Sequence, residues 1–225
     1  MTAGHFGLAA AVKSPAPRIP LWALMFATYL LDIVFIVLNV VGVESFAPMD
    51  PAHPAYGETL IQAYYSHSLV GAALIAGVAA LVASRAWGRR GGVVIGAVVF
   101  SHWILDLIVH RPDLPILPGN AGNLPLLGFG LWQVPLVSAA VELALVLAGA
   151  YLYYQSTLRV TATFRRKGEQ RTRALTTTAV TGLLLLLLLL SDILSLSVLS
   201  VFLIALLIVL CGWLDSRLAW GPVTA

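Results

Sequence analysis

Three ionisable residues, His102, Asp106 and His110, recur at four-residue spacing inside the apolar run SHWILDLIVHR. A four-residue step along a helix advances about 400°, so the three side chains share one helix face. An ionisable residue costs roughly 2.5–3.5 kcal/mol at the centre of a bilayer on insertion scales, and such residues usually have a function. The spacing therefore indicates a polar site on an otherwise apolar helix.

Further ionisable residues lie inside other apolar segments: His67 in YYSHSL, Asp32 in YLLDIVF and Glu142 in SAAVELAL. Imidazole and carboxylate groups are ligands that zinc accepts, and a pair at i and i+4 lets one helix offer two ligands to one ion. A divalent ion with an open position lowers the pKa of bound water toward ~7, which permits hydrolysis at neutral pH. The expected ligands of a divalent metal, taken as zinc, are His67, His102, Asp106 and His110.

The length of this polar face limits how many of its residues can bind one ion. His102 and His110 lie about 12 Å apart along a helix axis. One of the three residues is therefore expected to contact a ligand of the ion and not the ion itself. Asp106 is expected to be either a ligand or the base that orients water. Asp32 or Glu142 would accept a hydrogen bond from a ligating histidine or transfer a proton. These three carboxylates are the candidate catalytic residues.

Two other functions use the same residues. Chains of histidines and carboxylates carry protons in transporters, so a carrier or permease is one alternative. A carrier would favour broken helices, whereas the run from Val98 to Val109 has no Pro or Gly. A scaffold in which Asp32 and Glu142 hydrogen-bond across helices is the other alternative. Neither His5, in an apparently disordered start, nor His53, between prolines, is expected to bind the metal.

The elements that must position these residues are membrane-spanning helices. The chain is 60% hydrophobic and 10% charged, whereas soluble domains are about 45–50% apolar and about 25% charged. Stretches of about 20 apolar residues predict transmembrane helices. The sequence therefore predicts an all-α, polytopic transmembrane helical bundle. Its six expected spans are residues 19–43, 65–84, 92–110, 131–156, 174–191 and 194–215.

The expected spans divide the chain into four blocks. Residues 1–18 would form a cytoplasmic N-terminal segment, and residues 19–156 a four-helix transmembrane unit that carries the metal site. A basic cytoplasmic loop at 157–173 would lead to two further helices at 174–217. The last two spans are separated where the polar pair Ser191 and Asp192 interrupts a long apolar run.

The basic residues favour one side of the expected bundle, and short cytoplasmic loops collect Lys and Arg. Both termini are therefore expected in the cytoplasm, and the loops at 44–64 and 111–130 on the outer side. The formal charge of +3 is too small to indicate a nucleic-acid partner. The basic residues that carry this argument are Lys13, Arg18, Arg85, Arg89, Arg90, Arg159, Arg165, Arg166, Lys167, Arg171, Arg173 and Arg217.

The motif YYSHSL, followed by SHWILDLIVHRPDLPILPG, resembles the bacterial membrane-bound metal-dependent hydrolases of the YdjM-like (DUF457) family. The similarity covers roughly residues 20–155. This resemblance implies a hydrolase in the bacterial cytoplasmic (inner) membrane. The expected topology places the site near the outer half of the bundle, on the second and third helices, and a site there would favour a lipid or lipid-linked substrate that arrives laterally or from the outer face. The residues that the resemblance implicates are His67, His102, Asp106 and His110, with Asp113 as a weaker match.

Overall fold

The computed structural model describes residues 1–46, 61–162, 167–194 and 196–218 and confirms the predicted all-α bundle. Strands β1 (Ser45–Phe46) and β2 (Ile61–Gln62) form one short antiparallel pair. Turns of 3-10 helix cover Pro118–Asn123 and Leu131–Gln133, and a π-helical turn covers Leu207–Cys211. The α-helices are α1 (Thr2–Val12), α2 (Leu21–Thr28), α3 (Leu30–Val40), α4 (Leu69–Val109), α5 (Pro135–Ala162), α6 (Lys167–Ile193), α7 (Ser197–Leu206) and α8 (Gly212–Ser216).

Helix α4 reverses direction near its middle. Trp87 and Gly88 depart from helical geometry, and Gly88 has a φ of 69°, which glycine adopts without a steric penalty. After the turn, Gly92 lies directly against Ala80 and Ser84, so the chain returns along itself. We name residues 69–86 the first arm of α4 and residues 89–109 its second arm. The reversal brings the beginning and the end of α4 to the same side of the bundle.

Fewer spans are counted than the six predicted. Four helices in the described part of the chain are long and apolar enough to cross a membrane, or five if α2 and α3 form one bent span. The count is lower because the second and third predicted spans are the two arms of the single element α4. The break predicted at Ser191 and Asp192 is close to the observed one, since α6 ends at Ile193 and α7 begins at Ser197.

The first predicted span is divided into two helices. The axes of α2 and α3 differ by 50°, and Tyr29 between them has φ −102° and ψ 5°. The bend lies next to Thr28 and three residues before Asp32. It therefore interrupts the helix beside one of the predicted site residues.

Helix α1 packs inside the bundle, so the expectation of a disordered start is wrong for residues 2–12. Its Ala3 and Phe6 are fully buried. The backbones of α1 and α5 touch where two glycines meet, because a Cβ on Gly149 would overlap the carbonyl oxygen of Gly7. Small residues at such contacts allow helices in membranes to approach closely. The packing fixes α1 against α5 at the level of Gly7.

Candidate metal centre

Five ionisable side chains from separate parts of the chain converge at one place in the bundle. Helix α1 contributes His5, α3 contributes Asp32, the turn before α4 contributes His67, and the second arm contributes His102 and Asp106. We name these five residues the His–Asp cluster. The Asp32 side chain is 27% exposed, whereas the other four are at most 5% exposed. The cluster is therefore a buried site that is open beside Asp32.

The second arm supplies two residues of the cluster one helical turn apart. His102 Nε2 lies 3.0 Å from Asp106 Oδ2. On the other side of the ring, His102 Nδ1–H donates to the carbonyl oxygen of Thr28 at 2.6 Å, at the bend between α2 and α3. This hydrogen bond fixes the ring orientation, because it leaves Nε2 as the nitrogen that faces the carboxylates.

His67 joins the cluster although it lies 35 positions before His102. Its Nε2 is 3.5 Å from Asp32 Oδ1 and 3.7 Å from Asp106 Oδ2. Its carbonyl oxygen accepts a hydrogen bond from Trp103 Nε1 at 2.8 Å, which attaches the turn before the first arm to the second arm. Within the described structure, His67 Nε2 is buried and makes no hydrogen bond. Such a nitrogen is destabilising unless it gains a partner.

His5 was not expected at the site, and this expectation is wrong. It is 2% exposed, and its Nε2 lies 3.1 Å from Asp106 Oδ1. The carbonyl oxygen of His5 accepts a hydrogen bond from Thr28 Oγ1 at 3.1 Å. Helix α1 thus contacts the same bend that orients His102, so the cluster includes the start of the chain.

The donor set of the cluster fits a divalent metal. Two overlapping groups, His5–His102–Asp106 and Asp32–His67–His102, each place three ligand atoms within 4.8 Å of one another. At zinc bond lengths of 2.0–2.1 Å, tetrahedral ligand atoms lie about 3.3–3.5 Å apart. The His67 distances of 3.5 and 3.7 Å are close to that edge length and exceed the usual N–H···O range of about 2.7–3.2 Å. Imidazole and carboxylate donors suit zinc and other divalent transition metals.

The expected ligand His110 belongs to neither group of potential ligands found in the described residues. Its Nδ1 lies 3.0 Å from Asp113 Oδ1, and its ring is 4.4 Å from that of Trp132. The reason is helical geometry, since His110 follows His102 by about 12 Å along the second arm. His53, in turn, falls outside the described residues.

Glu142, an expected catalytic residue, is also in neither group. It is buried, and its Oε1 accepts a hydrogen bond from the backbone N–H of Gly4 at 3.0 Å. Asp192 Oδ2 accepts one from the N–H of Ala3 at 3.3 Å. Both carboxylates therefore cap the first turn of α1, where backbone N–H groups lack helical partners. Glu142 thus contacts the helix that carries His5 and lies outside both groups.

Comparisons with known proteins provide no further information about this site. No protein-family model, curated protein or solved structure matches the chain. The resemblance to the YdjM-like family consequently stays an expectation, and the geometry of the His–Asp cluster is what indicates a function.

Proposed function

We propose that the chain is a membrane-embedded, metal-dependent hydrolase whose metal centre is the His–Asp cluster. The observation that carries this proposal is the buried His67 Nε2, which has no hydrogen bond and faces two carboxylates. A hydrogen-bonded structural cluster would have satisfied this nitrogen, whereas a ligand must keep its lone pair free. The arrangement supports metal binding over simple packing of polar side chains.

The burial of each residue in the cluster indicates whether it would bind the metal or transfer a proton. A divalent metal bound here would activate water for hydrolysis near neutral pH. His67, His102 and Asp106 are the residues that would hold it, because their donor atoms are buried and the Nε2 atoms of His67 and His102 lie 3.7 and 3.0 Å from Asp106 Oδ2. Asp32, at the open side, would accept the proton of the attacking water and return it to the leaving group. His5 supports Asp106 from the opposite carboxylate oxygen.

An apolar groove beside the α2–α3 pair favours a lipid or lipid-linked substrate. This groove of about 540 Å³ lies between the α2–α3 pair and the first arm of α4. Its lining includes Leu30 and Val34, which lie two residues before and after Asp32 on α3. Ligand sites of this size are usually apolar with few polar groups. Residues two positions apart do not share a helix face, so Leu30 and Val34 lie on the opposite side of α3 from Asp32, and an acyl chain in the groove would lie across α3 from the cluster.

The cellular location in this proposal follows the distribution of charge. We place the protein in the bacterial inner membrane with residues 85–90 and 159–173 in the cytoplasm, because Lys and Arg concentrate there. Cysteine labelling in intact cells tests this orientation. Labelling of the 159–173 region from the outer side would contradict it.

Metal analysis of detergent-purified protein tests the proposed function. We expect wild-type protein to carry a divalent metal and to hydrolyse at least one member of a lipid and ester panel, with activity lost on chelation and restored by metal. His67→Ala should lose both properties. His110→Ala is the matched control, because that imidazole pairs with Asp113 instead of the cluster. Turnover that is insensitive to chelation would overturn the proposal.

A carrier is the second candidate, because one structural feature favours it. The 50° break between α2 and α3 lies three residues from Asp32, and broken helices often form ion sites in transporters. Protein reconstituted in vesicles distinguishes the two functions. Proton or metal flux that requires Asp32, without hydrolysis of any lipid in the panel, would favour the carrier.

A further inference from the structure

A second buried carboxylate, Glu44, is attached to the turn that carries His67. Glu44 follows α3 and is 3% exposed. Its Oε1 accepts hydrogen bonds from the backbone N–H groups of Tyr65 at 2.7 Å and Ser66 at 2.9 Å. Its Oε2 accepts one from Ser66 Oγ at 2.7 Å. The adjoining β1–β2 pair, in which Ser45 lies opposite Gln62, keeps these two segments together.

The same serine contacts the ring of His67, and the available protons determine the direction of that contact. Ser66 Oγ lies 2.8 Å from His67 Nδ1. A hydroxyl has one proton, and here it is donated to Glu44 Oε2, so the oxygen offers only lone pairs to the ring. His67 Nδ1 must then carry the ring proton and donate it to Ser66. In the neutral imidazole this leaves Nε2, the nitrogen inside the cluster, with a free lone pair.

We infer that Glu44 and Ser66 are positioning residues that hold His67 in the tautomer required for metal binding through Nε2. This inference rests on the proposed metal centre. Ligating histidines commonly donate their second N–H to a carboxylate or another acceptor, and that bond fixes the ring and increases its basicity. Here Ser66 transmits the effect of the Glu44 carboxylate to the imidazole.

The geometry distinguishes this role from simple stabilisation of the turn. Glu44 Oε1 alone satisfies the two backbone N–H groups of the turn. Oε2 contributes nothing to the backbone in these contacts and instead accepts the Ser66 hydroxyl that faces His67. A carboxylate used only to cap the turn would not need the second contact. The Glu44–Ser66–His67 chain ends at His67 Nδ1. The other ring nitrogen, Nε2, faces Asp32 and Asp106.

The substitution Glu44→Gln tests this inference with little change of shape. The Gln carbonyl oxygen can accept from both backbone N–H groups, so its amide NH₂ takes the place of Oε2 and donates to Ser66 Oγ. The Ser66 proton is then free to be donated to His67 Nδ1, which moves the ring proton to Nε2. We expect Zn²⁺ or Co²⁺ affinity to fall about 10- to 100-fold, the usual effect of losing an outer partner of a ligand. Ser66→Ala, which leaves Nδ1–H without its acceptor, should have a similar effect.

Two measurements distinguish a change of the His67 tautomer from a loss of protein stability. Nitrogen NMR of metal-free, ¹⁵N-histidine-labelled protein should show His67 protonated at Nδ1 in wild type and at Nε2 in Glu44→Gln. Ser68→Ala is the control, because Ser68 caps α4 through the N–H of Gly71 and its hydroxyl donates to the Tyr65 carbonyl. It should lower thermal stability but leave metal affinity unchanged.

The possible failures can be told apart. Wild-type His67 protonated at Nε2 without metal would overturn this inference whether or not metal binds. Metal binding by wild type with equal affinity in Glu44→Gln would also overturn it and leave the proposed centre intact. Absence of metal binding by wild type would instead overturn the proposed function, and the role in metal binding with it.

Discussion

The imidazole rings of His5 and His102 are stacked, with centroids 3.9 Å apart and an angle of 3° between their planes. One ring comes from an 11-residue helix at the start of the chain, and the other from the second arm of α4. His5 Nε2 lies 3.1 Å from Asp106 Oδ1, and His102 Nε2 lies 3.0 Å from Asp106 Oδ2. Helix α1 is therefore a structural part of the His–Asp cluster, and its residues should affect metal binding.

Replacement of His5 by alanine should weaken metal binding at least about 10-fold, because Asp106 loses the partner of one of its carboxylate oxygens. Metal retained after gel filtration in a competing chelator measures this effect. His110→Ala serves as the control, since it removes another buried histidine whose partner is Asp113. Equal retention by His5→Ala and wild type would show that α1 does not contribute to the centre.

The sequence predicted the part of the site that depends on local helix geometry. His102 and Asp106 lie one turn apart, so their shared face follows from spacing alone. The same geometry limits the prediction, because His110 is two turns away and pairs with Asp113. His67 was predicted from its position at the start of an apolar run, although its distance from Asp32 depends on how the helices pack.

Residues that reach the site only through tertiary packing were missed. Helix α1 is too short to span a bilayer, so hydropathy gave no reason to place His5 inside the bundle. One signal was present in AGHFGLAAAV, where a single histidine lies among small and apolar residues at the close-packing Gly7. Glu44 follows a helix, in a segment without periodicity, and its contact with Ser66 spans 22 positions. No local pattern predicts such a contact.

The close contact between α1 and α5 gives a prediction outside the cluster. Gly149→Ala should destabilise the protein by about 1–3 kcal/mol, the usual range for overpacking, because the new Cβ would overlap the carbonyl oxygen of Gly7. Displacement of α1 should also weaken metal binding. Gly182→Ala is the matched control, since its Cβ would meet Ala150 at an ordinary 3.9 Å. Thermal unfolding and metal titration in detergent measure both effects.

If Gly149→Ala lowered stability and left metal affinity unchanged, α1 would support the fold without positioning the cluster. The variants Gly149→Ala and His5→Ala test the same helix through different contacts.

A buried ion pair between Lys13 and Asp215 attaches the end of α1 to α8, with Nζ and Oδ2 3.0 Å apart. Burial lowers the pKa of Lys13 from its usual 10.5, although Asp215 opposes this shift. Loss of hydration therefore outweighs the attraction of the pair. Lys13→Met alone should cost about 3–5 kcal/mol of unfolding free energy, because it leaves a buried charge at Asp215 without its cation.

The double variant Lys13→Met with Asp215→Asn should recover part of that loss, because it removes both charges. The Asn oxygen can accept from Tyr153 Oη–H, whereas the Leu21 N–H that donates to Asp215 Oδ2 loses its acceptor. Denaturant unfolding of the two single variants, the double variant and wild type completes the cycle. A double variant as unstable as the sum of the single variants would contradict a coupled pair.

Substitution of Asp106 should lower metal affinity, whereas substitution of Asp32 should lower the rate of hydrolysis. The reason is burial, since the Asp32 side chain is 27% exposed and that of Asp106 is 5% exposed. Asp106→Asn removes a buried charge in contact with His5 and His102, so metal affinity should fall at least about 10-fold. Asp32→Asn should leave metal occupancy close to wild type and lower the rate of metal-dependent hydrolysis about 100- to 10,000-fold, the range for a positioned base. Asp113→Asn, outside the cluster, is the control for both. Occupancy and turnover measured on the same preparations decide the assignment. The opposite pattern, in which Asp32→Asn loses the metal and Asp106→Asn retains it, would exchange the two roles.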